Sequence, residues 1–405
     1  MEYAGSCVLC IVITILVWLW NKTRRAPKLP PGPPIIPFLG NLNINFGDIL
    51  TEFRKFRLQY GDLYSLVIGS RTVVIVNGHQ TLKEIFIKHG DIASERADTI
   101  VTSKIAKYKG LITSSGSLWK EHRTFALSKL RDLGFGKRMM EEKVLEEVVV
   151  FLQSISDTEG ANFDISSLLR ISVSNVICSV AFRRRFEHDD QLQKAIFDLF
   201  VAGTDTTATA LRWFILILLH KPEIQDRMRT EIHSKIGEFR FPSTADRSKL
   251  PYCDSVLHEV LRFGNTIPIP MPRGLTEDLF FQGFIIPKHA LLFPNFDSVH
   301  SDPNVFENPA EFIPTRFLSN DGFLTGTENV IAFGIGPRIC LGESLARMEL
   351  FLFAVSMVQR FEFLPPDGDP LPTIHEFKLG LTRKPLEFSF KAIKCEESSC
   401  TYEPK

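Results

Sequence analysis

Ten consecutive residues carry the densest chemical content of this 405-residue chain: Phe333-Gly334-Ile335-Gly336-Pro337-Arg338-Ile339-Cys340-Leu341-Gly342. They bring one cysteine to the start of a helix expected over 342–361, out of a loop punctuated by glycine. A thiolate placed there gains from free backbone N–H groups and from the positive end of the helix dipole. Gly334, Gly336 and Gly342 lack a Cβ and let backbone approach a flat cofactor closely. Arg338 can pair with a ligand carboxylate for about 1.5–3 kcal/mol. The plainer alternative is a buried cysteine in a glycine-rich turn, the usual fate of a lone Cys.

Three other constellations have spacings that matter on a helix. Glu259 and Arg262 stand three apart, and Trp119 and Arg123 four apart, so each pair shares a helical face. Alone, the first pair would read as a surface ion pair worth little. In Ala202-Gly203-Thr204-Asp205-Thr206-Thr207 the small Ala202 and Gly203 leave room beside a ligand. A Thr206 hydroxyl bonded to the Ala202 carbonyl four residues back would loosen the ladder and open a groove. Asp205 and Thr206 then become candidates for proton delivery, which requires hydrogen-bond reach directly or through water. The alternative is a helix with ordinary polar residues on its turns.

The cysteine segment resembles the haem-binding loop of the cytochrome P450 family, and the resemblance extends from the N-terminal apolar segment to about residue 392. It implies a P450 fold, mainly α with small β-sheets, holding haem b on Cys340 as the metal ligand. Glu259 and Arg262 resemble the family's ExxR pair and Arg316 its third partner, a structural brace for the cysteine loop. Trp119 and Arg123 resemble the WxxxR segment that meets the haem propionates, and Arg96 and Arg273 fall where similar members place further propionate donors. The segment 202–207 resembles the family's distal helix motif, which implies that the groove beside Thr206 is the seat of O2 and water. The implied reaction inserts one atom of O2 into a lipophilic substrate, of fatty-acid or xenobiotic class. Its electrons come from NADPH only indirectly, through an NADPH-dependent cytochrome reductase. Lys120, Arg123, Lys129, Arg131, Lys137 and Arg138 form a basic run suited to an acidic partner, although such runs are often plain solvated faces.

These residues need a scaffold, and the chain has the means to build one. Its 44% apolar content and 34 Phe can bury a large core, and 47 basic against 47 acidic residues leave no net charge to favour nucleic acid as main partner. Seven cysteines, odd in number and without CxxC pairs outside the N-terminus, argue against a disulfide framework or zinc cage. The hydropathy of Ala4 to Trp20 predicts a membrane anchor rather than a cleaved signal peptide, within residues 1–25. Lys22, Arg24, Arg25 and Lys28 would keep the body of the chain on the cytosolic side, which with the family resemblance implies the endoplasmic reticulum membrane and contact with its lipid. A proline-rich hinge occupies 26–47, a haem-binding body 48–394 and a polar tail 395–405. Within the body, periodicity predicts helices over 49–59, 137–152, 165–181 and 191–220, a hairpin of 63–68 with 72–76, and strands over 284–293 and 388–391.

One departure from the resemblance stands near residue 190. The segment ending at Asp190 resembles the close of one helix and Gln191 onward already resembles the central helix, with no residues for the helices that roof the substrate pocket elsewhere in the family. Two readings stand beside that of an active monooxygenase: an impaired haem protein or reductase-binding decoy from a splice variant, and an incomplete gene model.

Overall fold

The computed structural model describes residues 10–15, 17–18, 27–36, 40–41, 44–69, 71–132, 138–181, 190–238 and 240–395. It divides into two compact units. The first draws on Met1–Tyr108, Ile269–Val299 and Ile335–Arg338, and the second on Lys109–Pro268, His300–Gly334 and Ile339–Lys405. The expected architecture, mainly helical with small sheets, is the one found.

In the first unit, β1 (Leu63–Ile68) and β2 (Arg71–Val76) form the expected hairpin, with Leu63 opposite Val76. Gly69 turns the chain at φ +60°, a conformation that favours glycine. The five-stranded sheet runs β1, β2, β7 (Leu291–Pro294), β4 (Arg273–Gly274) and β3 (Glu95–Arg96). Helix α1 (Ile49–Tyr60) lays Phe53 and Phe56 on Tyr64, Leu66, Val73 and Ile75. The predicted single strand over 284–293 is two short ones, because Pro287 lacks an N–H and its carbonyl accepts the Ala290 N–H in a turn.

The second unit is a helical body: α2 (Gly110–Thr113), α3 (Gly116–Asp132), α4 (Arg138–Ser156), α5 (Ser166–Ala181), α6 (Asp190–His220), α7 (Pro222–Lys235), α8 (Pro251–Gly264) and α9 (Glu343–Arg360). The 31 residues of α6 make a rod roughly 46 Å long. From Thr207 to Leu219 this rod is buried all round, whereas Val201 and Ala202 face outward. Pro222 opens α7 because a first-turn residue needs no N–H partner. The strand expected over 388–391 instead occupies Lys391–Lys394, paired with Phe361–Leu364. Ahead of it Phe390 exchanges backbone bonds with Phe163 and buries its ring against Phe163 and Phe363, so packing and not β-propensity sets where that ladder begins.

Among the described residues no helix is long and apolar enough to cross a membrane. Residues 10–15 and 17–18 are helical, with Ile11, Val12, Ile13, Ile15, Val17 and Trp18 exposed. The rest of the predicted anchor, the 182–189 connection and the tail beyond 395 lie outside the described residues.

One acid sits in the core between helices. Glu349 of α9 is fully buried and bonds Thr207 of α6, and burial pushes its carboxyl up to about 8. Between the unfolded value near 4.3 and that folded value, the unfolded chain releases a proton that the folded chain keeps, so stability falls as pH rises, by about 1.4 kcal/mol per unit. Glu349→Gln, which cannot ionise, is expected to flatten this decline. Thermal unfolding from pH 5 to pH 8.5 checks it; equal slopes for both proteins would show that the carboxyl is not neutral in the fold.

Candidate active site

Residues 335–338 of the cysteine loop pack within the first unit. Gly336 has φ +70°, and a Cβ there would stand 1.9 Å from the Phe86 carbonyl oxygen, so no other residue fits. Pro337 lies against Gly90, and Arg338 Nε donates to the Ser94 carbonyl at 2.7 Å. Within the second unit the two ends of the loop meet. The Cys340 N–H donates to the Phe333 carbonyl at 2.8 Å, Gly334 donates to Ile331, and an Arg123 N–H donates to the Ile339 carbonyl at 3.0 Å. Gly342 caps α9, and a Cβ on it would meet nothing within 4 Å.

Cys340 combines two properties that ordinarily exclude each other. It is exposed, yet burial is the leading cause that raises its thiol above the usual value. The Gly342 N–H and the Arg123 guanidinium pull the thiol back down, and Glu343 pushes it up. Arg123 is itself depressed by burial and partly restored by the Cys340 charge, and it lies 5.8 Å from the Trp119 ring one turn away.

In the first unit, Arg96 and Arg273 are direct partners across the β3–β4 ladder. Cross-strand partners share a face, where two like charges are unfavourable unless an anion joins them. Arg96 donates to the Met271 carbonyl, burial brings its guanidinium down to about 10, and Arg273 is buried above the Phe86 ring. A cysteine at the N-terminus of α9 with the Arg123 guanidinium beside it suits an iron-bearing ligand that carries carboxylates. The residues present therefore fit haem b.

The α6 residues are sorted by the structure. Thr206 Oγ1 donates to the Ala202 carbonyl at 2.8 Å, the bond expected from the sequence. Thr204 does the same to Phe200, and the helix continues unbroken through both, so the expected loosening of the ladder is not found. Ala202 is exposed, but the place of a Gly203 Cβ is taken by Ile177 Cδ1, 2.6 Å away. Gly203 serves the packing of α5 on α6 and does not make room for a ligand. The Asp205 carboxylate pairs with Lys384 Nζ at 2.6 Å and accepts from the Thr382 hydroxyl at 2.8 Å, which ties α6 to the β9–β10 hairpin (Phe377–Leu379, Arg383–Pro385).

Glu259 is wholly buried and grips Arg262 through two bonds of 2.7 Å. It also accepts from Arg316 Nε at 3.1 Å and from the Ile313 N–H at 2.9 Å. Arg262 in turn donates to the carbonyls of His300, Pro309 and Glu311. The brace thus grips segment 300–316 directly and reaches the cysteine loop through His300, whose Nε2 accepts the Ile331 N–H at 3.1 Å while Nδ1 meets Asn265. His300 was not singled out from the sequence, because a lone histidine in a loop carries no spacing. Asp198 was missed for the same reason: it accepts the Leu111 and Ile112 N–H groups at the start of α2 and so fixes that turn to α6.

The profile of the cytochrome P450 family matches residues 30–195 and 187–392. The chain is 31% identical to cytochrome P450 2H2 of Gallus gallus over 461 positions, covering 90% of this chain and 94% of the relative. It is 32% identical to cytochrome P450 2J2 of Homo sapiens over 467 positions, covering 92% of each. With cytochrome P450 2G1 of Rattus norvegicus it shares 32% over 460 positions, 90% of this chain and 92% of the relative. Ninety per cent of 405 residues is about 365, fewer than the 461 positions of the first alignment, so roughly 96 of its positions face no residue here.

The two carboxylates on α6 and α8 should differ sharply in weight. Glu259→Leu leaves Arg262 buried without its counter-charge and is expected to cost about 3–5 kcal/mol, whereas Lys384→Met breaks a half-exposed pair and costs less than about 1 kcal/mol. Thermal or denaturant unfolding of the two variants decides, and a larger loss from Lys384→Met would reverse the ranking.

Proposed function

Because this chain belongs to the cytochrome P450 family, as its profile match and relatives establish, we propose that this haem monooxygenase oxidises lipophilic small molecules of fatty-acid or xenobiotic class with electrons from an NADPH-dependent flavoprotein reductase. The observation that carries the reading is Cys340, an exposed cysteine that a glycine-punctuated loop delivers to the N-terminus of α9. When bound, haem b supplies the oxygen chemistry, and thiolate ligation pushes electron density toward O–O cleavage.

The chain's own residues hold and shield that group. Cys340 is the metal ligand, with the Gly342 N–H and Arg123 stabilising its negative charge. Trp119 and Arg123 take one side of the propionates, and Arg96, Arg273 and Arg338 are retained as further donors on the family resemblance. Phe333, Gly334 and Gly336 shape the loop. Thr206, whose hydroxyl proton rests on the Ala202 carbonyl, keeps its lone pairs free to accept a proton-bearing partner and, on rotation, to pass a proton on. Exposed Lys120, Arg131 and Arg138 offer an acidic reductase a basic surface. The apolar segment 4–20 would anchor the protein in the endoplasmic reticulum membrane, body to the cytosol.

The unmatched positions of the relatives belong, in this reading, at the 182–189 connection, where the family's pocket roof is missing. A site that cannot bury its ligand excludes water poorly.

Two measurements test these readings. The reduced, carbon-monoxide-treated protein is expected to show the red-shifted Soret band of a thiolate complex, and Cys340→Ala to lose it; an unchanged band in the variant would refute the ligand. With reductase, NADPH consumption should exceed product formation severalfold across lipophilic substrates; tight coupling would refute the open pocket.

A further inference from the structure

Five side chains of the second unit, Arg247, Asp254, His258, Arg347 and Glu343, run from the 3-10 helix Thr244–Lys249 toward Cys340. Arg247 pairs with Asp254, and Asp254 shares α8 with His258, whose Nδ1 lies 2.9 Å from the Asp254 carbonyl. His258 Nε2 lies 3.3 Å from Arg347 Nη1, and Arg347 Nε donates to Glu343 at 2.9 Å. Glu343 opens α9 three residues beyond Cys340, and the Arg347 guanidinium also lies over the Phe333 ring at 4.7 Å.

The directions of these bonds are fixed by chemistry. A backbone carbonyl only accepts, so Nδ1 of His258 carries the proton and Nε2 presents a lone pair to the Arg347 N–H. Burial favours the neutral ring, against Asp254 on its own helix, Arg347 of α9 and Arg247 of the 3-10 helix. Arg347 therefore has a carboxylate on one side, a ring acceptor on another and an aromatic face beneath it. A planar, five-donor fork fits such a set, and a lysine would not.

We propose that Arg347 is a positioning residue that binds the Glu343 carboxylate and so keeps its negative charge off the Cys340 sulfur, and that His258 holds Arg347 in that place. The inference rests on Cys340 as the haem ligand. A carboxylate three residues along the chain from the ligand adds negative potential toward the sulfur and so would favour the ferric over the ferrous state of a bound haem. The brace around Glu259 fixes the backbone of the loop, whereas this second network fixes its electrostatics.

The test is the haem reduction potential of the intact holoprotein in wild type, Arg347→Gln, Glu343→Gln and the double variant. Arg347→Gln uncovers the carboxylate and is expected to lower the potential by about 59 mV, tenfold toward the ferric state for one electron. Glu343→Gln leaves an unbalanced cation and raises it, and the double variant returns close to wild type. His258→Leu shifts it in the same direction as Arg347→Gln and by less. Equal shifts in Arg347→Gln and in the double variant, or no shift in Arg347→Gln with its thiolate Soret band intact, would overturn the proposal. Glu343 is partly exposed, so its variant remains a usable arm if Arg347→Gln binds no haem; an unmoved potential there also overturns it. The Cys340→Ala spectrum reports separately on the ligand itself, so failure of that assignment and failure of this one give different results.

Discussion

A carboxylate removed from water must find its charge and its hydrogen bonds nearby, and Glu259 finds both in one place. Its two oxygens take Arg262 head-on, and Oε1 also accepts from Arg316 and from the Ile313 N–H. Replacing such a cluster with hydrocarbon could leave a stable protein, so its value lies in geometry more than in net energy. What it fixes is a stretch without regular structure. The carbonyls of His300, Pro309 and Glu311 have no ladder to join, and Arg262 supplies their donors. Through His300 the order passes to Ile331 and to the residues that lead into the cysteine.

Much of this was legible in the sequence, and the reasons differ by element. The bounds of α1, α5, α6 and α9 derive from apolar periodicity and from Pro222, because a helix repeats its environment every few residues. The cysteine loop is legible because its demands are local: Gly336 must tolerate positive φ against Phe86, and Cys340 must precede a helix. The neighbours of Asp205 and Gly203, namely Lys384, Thr382 and Ile177, come from distant sequence and could not be read. A polar residue and a glycine beside a threonine look alike whether they serve ligand or packing. Only the partner decides. His300, Asp198 and Arg347 carry no motif spacing of their own, and their meaning lies wholly in what folding brings to them.

The central helix shows how one element meets two opposed requirements. From Thr207 onward α6 is enclosed by hydrocarbon, with Trp213 donating its indole N–H to the Arg383 carbonyl and setting its edge on Phe263. One turn earlier Val201 and Ala202 are open, although both are apolar. The buried half holds the open half in register, so an apolar face can be kept for a ligand without collapsing on itself. Asp198 and Asp205, on either side of that opening, tie α6 to α2 and to the β9–β10 hairpin.

The ladder of Arg96 with Arg273 has a consequence for how well the protein withstands unfolding. Arg96 on the two-residue edge strand β3 and Arg273 opposite it on β4 put two like charges on one face, a repulsion that a bound anion would relieve. Whatever binds the folded form alone draws the population toward it by mass action. An anion held across that ladder would add its binding free energy to folding, so a chain loaded with it would resist unfolding and proteolysis better than an unloaded one.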